Sequence, residues 1–103
     1  MPGSIRITWR FVFRPPIRRL FCEGLEDVTL RSLVFDNVRG TALRIPHRVV
    51  PTARPGVTCV EFREGVDELC VDEEHREWML AMLRKNRVPA RYRRAGTDEW
   101  MEV

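Results

Sequence analysis

Long apolar runs are missing from this 103-residue chain, lysine is almost missing, and its six glycines stand singly. Each absence excludes something. No stretch approaches the roughly 18 consecutive apolar residues of a membrane span. The first residues also lack the basic-then-apolar order of a secretory leader. The expectation is therefore a cytoplasmic protein with no membrane partner. Without clustered glycines there is no phosphate-cradling loop, and no nucleophile-elbow pattern marks an acyl-transfer serine or cysteine. Only His47 and His75 are available as imidazole bases, and nothing ties either to a nucleophile, so the reading is that the chain is not an enzyme.

Cysteine is scarce as well. Cys22, Cys59 and Cys70 make an odd set, whereas a small secreted domain carries an even disulfide framework. Reduced thiols are expected. With His47 and His75 these cysteines supply the ligand types of a zinc site, but structural zinc ligands come in close pairs and only Cys70 and His75 are near one another. The acidic stretch from Glu61 to Glu77 likewise lacks the alternating oxygen ligands of a calcium loop, being interrupted by Leu69, Cys70 and Val71. No metal and no cofactor is expected.

What is present describes one ordinary folded domain over residues 1–103. Hydrophobic residues make up 44% and charged residues 32%, and the apolar positions are periodic, which argues against disorder. Residues 5–14 alternate, with Ile5, Ile7, Trp9, Phe11 and Phe13 on one side and Arg6, Thr8, Arg10, Val12 and Arg14 on the other. That is a half-buried strand. Pro15 and Pro16 are expected to stop its ladder. Further strands are expected at 17–22 and 28–35, the latter alternatively a short helix from Asp27. An edge strand interrupted by Pro46 follows at 41–51, then a hairpin of 57–62 with 66–71 across the turn at 63–65.

One helix is expected at 73–86, with Asp72 as N-cap, acids in its first turn, bases in its last and Val88-Pro89 beyond it. Its apolar face is read as Trp78, Met79, Met82 and Leu83. Two short strands around a turn at Ala95-Gly96 close the chain. The fold class is α+β: a mainly antiparallel sheet of about five to six strands with one principal helix, in the C-terminal half, packed against it.

Arginine outnumbers lysine 17 to 1, and the charges are segregated. Residues 1–54 hold ten arginines against four acids, residues 55–83 two against eight, and residues 84–103 six basic against three acidic. The acidic middle either faces the basic ends internally or leaves two faces of opposite sign for partners. The candidate partner-binding residues are Arg6, Arg10, Arg14, Arg84, Arg87, Arg91, Tyr92, Arg93 and Arg94. Arginine beside aromatics is the composition of protein-interface hot spots. The favoured reading is a small non-enzymatic adaptor, regulator or inhibitor that binds another protein with an acidic surface. The alternative is nucleic-acid binding by the basic segment 84–94 together with the arginine face of strand 5–14, with Tyr92 offering a base-stacking ring.

Overall fold

The computed structural model describes residues 7–23 and 46–103. Ile5, Arg6, the element expected at 28–35 and the first part of the expected edge strand, residues 41–45, lie outside the described residues. Among the described residues, five strands form one antiparallel sheet in the order β2-β3-β1-β4-β5. They are β1 (Thr8–Glu23), β2 (His47–Pro51), β3 (Val57–Asp72), β4 (Ala90–Arg94) and β5 (Met101–Glu102). One turn of 3-10 helix at Glu73–His75 leads into α1 (Arg76–Lys85). Because β1 is antiparallel to both β3 and β4 and lies between them, α1 is the crossover of a split β-α-β unit.

The alternation in β1 sets the core. Trp9, Phe11 and Phe13 are buried with Leu69 and Val71 of β3 and with Met79, Leu80, Met82 and Leu83 of α1 in a single cluster. Each such side chain contributes roughly 1.5–3 kcal/mol when taken out of water. On the helix, Leu80 is buried and Trp78 only partly so, which rotates the expected apolar face towards the sheet by one position.

Two expected chain breaks are absent. Pro15 and Pro16 do not end the first strand, and residues 57–62 and 66–71 are not hairpin partners. Each pair of segments is one 16-residue strand, and β1 pairs with β3 along both halves, from Thr8 with Asp72 to Glu23 with Val57. The register shifts twice in the middle. On β1, residues 13–16 stand opposite Asp67 alone; on β3, residues 62–65 stand opposite Arg18 alone. Prolines are tolerated there because a bulged stretch requires no ladder hydrogen bond. The two bends touch: a Cβ on Gly65 would come within 3.2 Å of the Pro16 Cβ. Across the bend the buried parity inverts in both strands, from Trp9, Phe11 and Phe13 to Leu20 and Cys22 on β1, and from Val60 and Phe62 to Leu69 and Val71 on β3. The same sheet face therefore stays apolar throughout.

The 3-10 and α turns together cover Glu73–Lys85, close to the expected 73–86, but the two ends are built differently from the expectation. Asp72 holds the N-cap position in extended conformation but its side chain makes no capping hydrogen bond, and regular α-helix starts only at Arg76. At the other end, Arg87 N–H donates to the Arg84 carbonyl and Val88 N–H to the Leu83 carbonyl, the two bonds of a Schellman cap. Arg87 occupies its left-handed position at φ 54°, where glycine is usual. Asn86 then fastens the helix to the sheet. Its Oδ1 accepts from the Phe21 N–H at 2.9 Å and its Nδ2 donates to the Phe21 carbonyl at 2.9 Å, as a neighbouring strand would.

Trp9 and Arg10 are adjacent but face opposite sides of β1, so their truncations should differ. Trp9→Ala is expected to lose about 3–5 kcal/mol and Arg10→Ala less than about 1 kcal/mol, read from denaturant melts. Equal losses would contradict the face assignment.

Candidate functional site

Among the described residues the only α-helix lies on the Phe11 face of the sheet, and the opposite face gathers the arginines. Pairing of β1 with β4 sets Arg10 beside Arg93 and Val12 beside Arg91; pairing of β4 with β5 sets Arg91 beside Glu102. Alternation sends Ala90 and Tyr92 to the core and Arg91 and Arg93 away from it.

Two like charges directly across a strand pair repel, and here each has its own counterion. Arg10 reaches Glu68 at 2.6 Å, and Arg93 reaches Asp98 at 3.4 Å while also donating to the Thr97 carbonyl. Trp100 completes the group. Its ring, 38% exposed, takes the guanidinium carbons of both Arg91 and Arg93 at 5.0 Å from its centroid. Each contact of this kind is worth about 0.5–1 kcal/mol at an exposed site. Arg14 is exposed nearby and lines a hollow of about 170 Å³ with Val12, Pro89, Arg91 and Glu102.

The structure thus unites Arg10, Arg14, Arg91 and Arg93 and separates the other candidates from them. Arg84 is exposed in the last turn of α1 and Arg87 just past its end, on the helix layer. Arg94 is exposed at the end of β4, on the alternation of Tyr92. Tyr92 stacks on Phe11, with ring centroids 5.3 Å apart and planes at 16°, and belongs to the core margin. Arg6 lies outside the described residues.

Segregation of charge along the chain becomes pairing across the sheet. Acid-rich β3 runs between basic β1 and β2: besides Glu68 with Arg10, Glu61 takes Arg48 at 3.2 Å and Arg19 at 3.9 Å.

Two exposed aromatics were not singled out by sequence reasoning. Trp100 had one signal, a large ring in the otherwise polar "TDEWMEV". Phe21, 49% exposed, had a better one: in the apolar run Leu20-Phe21-Cys22 the middle residue of a strand must face away from its neighbours.

The candidate metal ligands do not converge; among the described residues no three His, Cys, Asp or Glu side chains are grouped to hold a metal ion. Cys22, Cys59 and Cys70 form no disulfide. Burial, followed by the proximity of Cys59, pushes the Cys22 thiol up to about 12, and burial also raises Cys59. Both are held in the protonated form that suits a packed side chain, not in the thiolate that reacts. No protein-family model matches the chain, and no curated protein or solved structure matches it.

The thiol shift makes stability fall in alkali. The unfolded Cys22 thiol ionises from about pH 9 and the folded one only near 12, so the unfolded state alone gains by losing the proton in between. Stability is fully present below pH 9 and declines as pH rises towards 12. Denaturant midpoints measured from about pH 8 to 11 should fall more steeply for the native sequence than for Cys22→Ala; parallel curves would contradict the assignment.

Proposed function

We propose that this protein is a small non-enzymatic adaptor, regulator or inhibitor whose open sheet face, centred on Trp100 with Arg91 and Arg93, binds an acidic surface of another protein. The observation that carries the reading is the shared stack: two guanidinium groups held at 5.0 Å from one exposed tryptophan ring. Tryptophan and arginine dominate the energetics of protein interfaces. Here they are already ordered against one another, which lowers the entropy lost on docking.

Glu68, Asp98 and Glu102 are interspersed among these arginines. A mixed-charge pattern is matched by a specific protein surface, whereas a nucleic-acid backbone favours an unbroken basic track. The run 84–94 is divided between the helix layer and the open face, and its only tyrosine is spent on Phe11.

The test places a photo-crosslinking residue at exposed Glu102, beside the stack, or at exposed Arg84, on the helix layer, and irradiates each in extract of the native host. The reading expects a nuclease-resistant protein adduct from position 102 that is lost with Trp100→Ala. Affinity for the purified partner should then fall roughly tenfold or more, the scale of a hot-spot truncation. An adduct abolished by nuclease, or one formed equally from position 84, would overturn the reading.

A further inference from the structure

A second surface, separate from the Trp100 face, lies where the far half of β1 meets the end of α1. Phe21 sits there in a cleft of about 690 Å³ whose walls come from β1, residues 52–57 and residues 85–88. The size suits a few side chains, within the ~300–1,000 Å³ of typical recognition pockets.

Three properties set it apart from an incidental hollow. First, the anchor is fixed: the Phe21 backbone is hydrogen-bonded in both directions by Asn86 while its ring is left 49% exposed. Such an exposed ring on a rigid strand gains by being covered and loses little freedom in the process.

Second, the rim is cationic. Arg19, Arg54 and Lys85 line the cleft with one acid, Glu23. That acid is already engaged, accepting from Lys85 at 2.7 Å with Arg54 at 3.9 Å. The hydrogen bond and then the charge of Lys85 hold the Glu23 carboxyl below its ordinary range.

Third, the arginines are only loosely committed. The Arg19 and Arg54 side chains are 68% and 79% exposed, and each meets its carboxylate at 3.9 Å. They can take new carboxylates in the bidentate fashion that guanidinium favours.

We infer that the Phe21 cleft is a docking site for a short acidic segment of a partner protein, with one apolar side chain seated on Phe21 and flanking Asp or Glu carboxylates on Arg19 and Arg54. Apolar anchor and charged rim together are what such recognition requires; a phosphate or other small anion would use the rim and leave the ring uncovered. The inference does not depend on the role proposed for Trp100.

The test is panning of the full chain with a displayed library of random dodecapeptides. Enriched sequences are expected to carry an aliphatic or aromatic residue flanked by Asp or Glu. Synthetic peptides of those sequences should bind at least tenfold more weakly to Phe21→Ala and to Arg54→Glu, and equally well to Trp100→Ala. Phe21 is half exposed and Arg54 largely so, so the variants should melt close to the native protein, and a melting curve for each confirms that loss of binding is not loss of fold. Four results would overturn the inference: no enrichment above Phe21→Ala, enrichment of basic or uncharged sequences, displacement of the peptide by equimolar inorganic phosphate, or loss of binding in Trp100→Ala. The last would move the peptide to the other face without touching the Phe21 variants, so the two surfaces are judged separately.

Discussion

The antiparallel pairing of β1 with β3 carries every other element. Among the described residues, β2 joins the sheet only through β3, β4 only through β1 apart from its own pairing with β5, and β5 only through β4. The helix packs on the face that the two long strands share. The ribbon stays continuous through a sequence that looks as though it should break it, because the irregular stretch of each strand is offset by that of the other. Extra residues on β1 around Pro15-Pro16 are followed at once by extra residues on β3 around Gly65, so the register beyond the bend is restored. Had only one strand bulged, its buried residues past the bend would have turned to the opposite face from those of its partner.

The same pairing organises the charge. A chain with basic ends and an acidic middle is folded so that the acidic strand lies between two basic ones. Much of the arginine chemistry is thereby satisfied within the sheet, and among the described residues two exposed aromatic rings stand beside arginines. One is Trp100 with Arg91 and Arg93 on the open face; the other is Phe21 with Arg19 and Arg54 at the end of α1. They differ in physical character. At Trp100 the ring already stacks on the arginines, whereas at Phe21 the ring is half exposed and Arg19 and Arg54 reach their carboxylates only at 3.9 Å.

Local pattern made part of this legible. The alternation of residues 7–13 gave the face of β1, acid and base order placed the helix, and the turn at Ala95-Gly96 separated the last two strands. What local pattern misled was the meaning of two breakers. A proline pair ends a strand unless the ladder has a bulge there, and whether it does is set by the register against β3, far along the chain. The turn-like residues 63–65 read as a hairpin for the same reason. Helix ends were also partly hidden: Asp72 has the right residue type without the capping bond, and Arg87 adopts a backbone conformation that its side chain gives no hint of. The binding candidates include arginines of β1 and of β4. Their division between two faces required the register of β4 against β1, which no segment contains by itself.

The central claim is that one bent ribbon, not a hairpin, forms the middle of the sheet. Phe21 turns its backbone groups towards Asn86 and so away from β3. Ile7 turns its carbonyl to Glu73 on the β3 side, and Thr8 turns its own to Ala95 on the β4 side. By alternation, Arg10 with Cys70 and Phe21 with Cys59 are both closely spaced pairs, with Cα atoms ~4.5 Å apart. Nuclear Overhauser contacts between their α-protons should therefore appear on both sides of the bend in the same sample. The account predicts strong Arg10–Cys70 and Phe21–Cys59 cross-peaks. Their absence, with cross-strand contacts instead between residues 57–62 and 66–71, would contradict it.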